Sequence, residues 1–148
     1  MALTVEVSRL RQIPMFAGVD TGKLKLLAFA GETISCVKGE VLFRQGEPSD
    51  AVYVVLDGEV DISRESAGTR VHLNRLGAGQ IIGEIGVLCD RSRTATVEAA
   101  ADLQLLRIEK TVFLDFVREL PQLSLAIIRE LSERLIHMNE QLAGAGRR

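Results

Sequence analysis

Cysteine is scarce: Cys36 and Cys89 are the only two, which excludes a disulfide framework. Their apolar neighbours predict two reduced core residues. Histidine is equally scarce: His72 and His137 lie far apart with no cluster of Cys or carboxylate ligands near either. That pattern argues against a metal centre and against a cupin-like barrel enzyme, which needs several such ligands to converge. No apolar run approaches the ~18 residues of a membrane span. The stretch from Met1 to Leu10 carries Glu6 and Arg9 and lacks the apolar core of a signal peptide. Net charge is also small. Eighteen basic against twenty acidic residues leave a formal charge of -2, too little field to draw in nucleic acid or an anionic membrane. The terminal pair Arg147-Arg148 is too short for a polybasic anchor. No nucleophile–base pair and no Walker loop are present, so no enzymatic activity is expected. The expectation is a cytoplasmic chain with no cofactor, no membrane contact and no direct DNA binding.

What the sequence does contain fits one globular domain spanning 1–148: 148 residues, 47% of them hydrophobic and 26% charged. Three zones follow one another. From about 8 to 30 the pattern is helical, with Leu24, Leu27 and Ala28 on one face, Asp20 or Thr21 as N-cap, and Pro14 splitting the zone. From about 33 to 108, short β-rich runs alternate with glycine. Val52–Leu56 is expected to meet Val60–Ile62 as a hairpin across Asp57-Gly58. Strands this short and this closely spaced predict a barrel or sandwich closed on itself, mainly β with flanking helices. From about 110 to 142 helix returns. Thr111 is the expected cap of a short amphipathic piece, and Pro121 opens the last helix where a missing N–H costs little. Gly144 and Gly146 are expected to end it. Glu130 with Arg134 and Arg129 with Glu133 read as surface pairs four apart.

One stretch in the β zone, Gly83 to Val97, is neither plain strand nor hairpin. A glycine and a carboxylate begin a turn of apolar helix, and a polar loop with an arginine then leads back into a strand. Gly83 lets backbone approach a ligand closely. The helix start offers unpaired N–H groups. Arg93 can fork onto phosphate oxygens, with Thr94 and Ala95 adding a hydroxyl and a backbone N–H. Glu84, an acceptor when ionised, can take a ribose hydroxyl proton. Together they can hold opposite ends of one sugar-phosphate. Two simpler readings stand beside this. Glu84 and Arg93 can form a surface ion pair of little consequence, and Arg91-Ser92 is a rival phosphate pair, against which the strand resuming at Thr94 favours Arg93.

Gly83–Val97 resembles the phosphate-binding cassette of cyclic-nucleotide-binding domains, the family of cAMP receptor transcription factors, of regulatory subunits of cAMP-dependent kinases and of gated channels. Ile13-Pro14-Met15-Phe16, Gly46-Glu47, Val52–Val60 and Leu76–Gln80 extend the likeness to roughly 13–142. The resemblance implies a double-stranded β-helix, jelly-roll-like, with N-terminal and C-terminal helices. It implies a non-catalytic sensor in which Glu84 accepts from the ribose 2′-OH, Arg93 pairs with the cyclic phosphate and Thr94 meets phosphate or base. Gly83, Ile85 and Ala95 would line the pocket, Ile62, Leu73 and Asn74 would face sugar and base, and Asn139 or Met138 would cap the base. Its ligand would be cAMP or cGMP. Arg93-Thr94-Ala95-Thr96 is similar to cGMP-preferring sites, but bacterial cAMP binders also carry Ser or Thr after the arginine, and cAMP is favoured.

Alternatives of other kinds remain open. One is the effector part of a transcription regulator without its DNA-binding part, since the sequence stops at Arg148 with no reading helix. Another is a degenerate barrel that has lost its ligand. The stripe Leu131, Leu135, Met138 and Leu142 either packs on its own barrel or forms a homodimer seam. A downstream protein partner is expected but not visible.

Overall fold

The computed structural model describes residues 7–146, so the readings made on Glu6 and on Arg147-Arg148 lie outside the described residues. The chain opens with α1 (Val7–Arg11), a 3-10 turn at Pro14–Phe16 and α2 (Thr21–Ala30). The Asp20 side chain caps α2 by accepting from Gly22 N. Eight strands follow: β1 (Glu32–Cys36), β2 (Val41–Phe43), β3 (Ala51–Asp57), β4 (Glu59–Ser66), β5 (Thr69–Gly77), β6 (Ile81–Ile82), β7 (Thr96–Ala99) and β8 (Leu103–Glu109). A short helix, α3 (Glu84–Leu88), interrupts them, and α4 (Lys110–Glu119) and α5 (Pro121–Gly146) close the chain.

The strands form two four-stranded antiparallel sheets, β1-β8-β3-β6 and β2-β7-β4-β5. Early and late strands interleave in each, which is the jelly-roll arrangement. β3 shows why its run is apolar on both faces. Val52, Val54 and Leu56 pack outward on a core shared with the helices, including Leu24, Leu27, Phe113, Phe116, Leu123 and Ile127. Ala51, Tyr53 and Val55 point inward to a second core with Val60, Val97 and Leu105. A strand buried on both sides cannot show polar alternation.

The Asp57-Gly58 turn is a correction to the sequence reading. β3 and β4 belong to different sheets, so the dipeptide is a corner between sheets and not a hairpin. Gly58 sits at φ +94°, and a Cβ there would collide with the Asp102 carbonyl. The hairpin lies one strand later, where Ser66 pairs with Thr69 across Ala67 and Gly68. Both turn residues have positive φ, as a two-residue turn matching the twist of its strands requires.

Three smaller differences concern side chains and ends. α4 begins at Lys110 after Glu109, with no side-chain cap, so Thr111 lies inside the helix. Cys36 is half-buried and Cys89 exposed, because β1 is a sheet edge and Cys89 follows the end of α3. α5 runs past Gly144 to Gly146.

Candidate ligand-binding site

β6 delivers the chain to Gly83 at φ +80°, a left-handed turn that reverses it into α3. Gly83 is required twice over, since a Cβ at this position would also collide with Arg93 Nη1. Glu84 is then the first residue of α3 and is only 2% exposed, and Arg93, on the loop before β7, is 3% exposed. Both line one cavity of about 70 Å³ with Phe43, Ile62, Ile82, Gly83, Ile85, Gly86, Thr94, Ala95, Val97 and Arg134.

The two charged groups do not pair with each other, and neither is on the surface. Arg93 Nη1 donates to Gly83 O at 3.0 Å, and Nη2 donates to Ala51 O at 2.7 Å and to Asp50 Oδ1 at 3.4 Å. The guanidinium carbon lies 4.0 Å from the centre of the Phe43 ring, a cation–π contact. Burial pulls the Arg93 pKa down, opposed by Tyr53 and Asp50, but a guanidinium stays charged at any ordinary pH. Its Nε is buried and has no hydrogen-bond partner.

Glu84 is held from α5. Arg134 Nη1 donates to Glu84 Oε1 at 3.0 Å, and Nη2 donates to Ile81 O at 3.0 Å and Glu130 Oε2 at 2.9 Å. Glu130 Oε2 also accepts from Ile81 N at 2.9 Å. Burial pushes the Glu84 carboxyl above the usual carboxylate range, while the Arg134 charge works against that rise. Burial likewise raises Glu130. The pair Glu130–Arg134, expected on the surface, is instead part of this enclosed network, with side chains only 18% and 14% exposed.

Of the residues singled out from sequence, Gly83, Glu84, Ile85, Arg93, Thr94, Ala95 and Ile62 meet at the cavity. Leu73, Asn74 and Asn139 are not among its lining. Leu73 is 38% exposed on β5. Asn74 uses its side-chain oxygen to accept from Arg75 N. Asn139 is exposed on α5, beyond Arg134. Arg91 faces an outer cleft with Arg64 and Ser92. Arg134 escaped the sequence reading. Its signal was a charged pair, Glu130 and Arg134, continuing the helical stripe of Leu123, Ile127 and Leu131 where apolar residues would otherwise be expected.

A family model described as cyclic nucleotide-binding domain matches residues 33–119. A lysophospholipase from Aspergillus fumigatus is 30% identical over 114 residues, which cover 76% of this chain and only 8% of that protein. A cAMP-binding acyltransferase from Mycobacterium smegmatis superposes with a TM-score of 0.78 at 30% identity, covering 88% of this chain and 41% of that one. The regulatory subunit of a cAMP-independent protein kinase A from Trypanosoma brucei superposes with a TM-score of 0.73 at 26% identity, covering 83% and 44%.

Proposed function

Since the chain belongs to the cyclic nucleotide-binding domain family, we propose that it is a non-catalytic sensor that takes a 3′,5′-cyclic purine nucleotide, cAMP in preference to cGMP, into the cavity between Glu84 and Arg93. The observation that carries this reading is the pairing of opposite chemistries in one enclosed space. A buried carboxylate and a buried guanidinium with an unused Nε donor line the same cavity. A phosphate oxygen would satisfy that donor, and a ribose 2′-OH would donate to Glu84. Thr94, Ala95, Ile62 and Ile85 would complete the enclosure.

The cavity is small for its task, about 70 Å³ against ~300–1,000 Å³ for a usual small-molecule site. Entry of the ligand therefore requires a wall to move. Phe43, Ile62 and Val97 stand on paired strands, so the yielding wall in this reading is the 83–86 segment together with Arg134. Because Arg134 belongs to α5, widening the cavity shifts that helix, which relays the signal by a population shift.

The exposed apolar side chains Ile128, Leu135, Ile136 and Leu142 on α5 support a second copy of the chain as the neighbour of this helix. A downstream protein would read its position, and no DNA contact forms part of the mechanism. The free thiols Cys36 and Cys89 suit a reducing, cytoplasmic setting. A barrel that has lost its ligand is the competing reading, favoured by the fact that Glu84 already has a protein partner.

Calorimetric titration with cAMP, cGMP and linear 5′-AMP separates the two. Micromolar or tighter binding of a cyclic nucleotide, with linear 5′-AMP much weaker, supports the sensor. No heat from any of the three leaves the empty barrel.

A further inference from the structure

Glu130 makes contacts that the proposed ligand chemistry does not use. It lies on α5, one turn before Arg134, and its side chain is 18% exposed. Its Oε2 accepts from two donors at once, Ile81 N at 2.9 Å and Arg134 Nη2 at 2.9 Å. Arg134 Nη2 donates in turn to Ile81 O at 3.0 Å. The two peptide groups of Ile81 are thus clasped by neighbouring turns of one helix, its N–H by Glu130 and its C=O by Arg134. β6 is the last strand of its sheet, and these side chains take the place of a missing strand neighbour. Ile81 stands three residues before Glu84, with Gly83 between them as the left-handed turn.

The clasp also fixes how Arg134 meets Glu84. With Nη2 committed to Ile81 O and Glu130, Nη1 is the nitrogen that meets Glu84 Oε1, at 3.0 Å, while Nε is buried without a hydrogen-bond partner. One Glu84 oxygen, Oε1, is occupied in this way, and the residue's own backbone N–H also bonds the carboxylate. Arg134 also opposes the burial that pushes Glu84 toward its neutral form, and so favours the ionised acceptor.

We infer that Glu130 is a positioning residue for recognition of the ligand's 2′-hydroxyl, acting through Arg134 on Glu84 without touching the nucleotide. This rests on the sensor reading given above. Without the Glu130 carboxylate, Nη2 loses its charged acceptor, the guanidinium plane is freer to turn, and Glu84 loses its orientation; the like charge that repels Glu84 also goes, so the loss is one of geometry and not of ionisation. The acceptor offered to the 2′-OH degrades, while the phosphate end, held by Arg93, is untouched.

The test is the ratio of affinities for cAMP and 2′-deoxy-cAMP, measured by calorimetry on the parent protein and on Glu130→Gln. The parent is expected to prefer the ribose form by about ten- to a hundredfold, the range of one hydrogen bond to a charged group. In Glu130→Gln the preference should collapse toward one, through weaker cAMP binding with 2′-deoxy-cAMP unchanged. A merely structural role would weaken both ligands equally and leave the ratio intact, and that result overturns the inference. Arg134→Lys, which keeps the charge but cannot fork to three acceptors, is the second variant. It should lose the same preference, and the double variant should lose no more than either single one. Additive losses would overturn the inference as well. A parent protein that binds neither nucleotide overturns the sensor reading itself, an outcome distinct from binding without a change in ratio.

Discussion

Arg134 Nη1 stands 3.0 Å from Glu84 Oε1 across 50 positions of sequence, so the carboxylate of the cassette is held by the last helix and not by the cassette's own arginine. Arg93 has a separate set of partners: Ala51 O on β3 and Gly83 O at the start of α3. The two ends of the cavity are therefore anchored to different parts of the fold. Arg93 is anchored to the barrel and Glu84 to α5. A ligand that joined them would couple barrel to helix.

Gly83→Ala strains a backbone at φ +80° and drives a methyl into Arg93 Nη1. It should cost about 1–3 kcal/mol of stability and weaken nucleotide binding, read by urea unfolding and calorimetry. Gly58→Ala, whose added carbon meets the Asp102 carbonyl at the corner between the sheets, should lose comparable stability while the folded fraction binds as the parent does. Equal effects on binding from both would deny Gly83 its role at the site.

Stability and binding should respond to pH in opposite directions. Burial holds Glu84 above the usual carboxylate range, so between about 4.3, the unperturbed glutamate value, and the raised pKa the folded state carries more protons than the unfolded one. Glu84 therefore lowers stability as pH rises through that window. Glu84→Gln should flatten this part of a urea-midpoint series. Nucleotide affinity should instead fall as pH drops through the same window, because protonation removes the ionised acceptor for the 2′-OH.

The exposed apolar face of α5 yields a test of self-association. Leu135 and Ile136 are 58% and 56% exposed, so replacing both by glutamate should leave the fold within about 0.5 kcal/mol per site. Sedimentation equilibrium should show a dimer for the parent and a monomer for the double variant. A monomeric parent would remove the second copy from the account.

Much of the site was legible because its chemistry is local. Gly83, Glu84, Arg93, Thr94 and Ala95 lie within one short stretch, and a glycine, a carboxylate and an arginine at that spacing have few other uses. The closed β architecture was legible from short strands between glycines. The partnership of strands was not. Asp57-Gly58 has the composition of a hairpin turn, and nothing local distinguishes a corner between two sheets from a turn within one, since both demand a positive φ. The two-residue strand β6 is too short to carry a pattern of its own.

Arg134 and Glu130 were misread for a related reason. A Glu and an Arg four apart on a helix usually face water, and only the packing of α5 against β6 turns that pair inward. Leu73, Asn74 and Asn139 were assigned by likeness along strands and helix. In the structure Leu73 and Asn139 are exposed, and the Asn74 side-chain oxygen is bonded to Arg75 N.

The most direct test of the two-anchor site is calorimetric titration of cAMP into the parent protein and into Arg93→Ala, both verified as folded. The account predicts saturable micromolar or tighter binding to the parent and a loss of about 1.5–3 kcal/mol on removing the guanidinium, roughly ten- to a hundredfold in affinity. Undiminished binding by folded Arg93→Ala would contradict it.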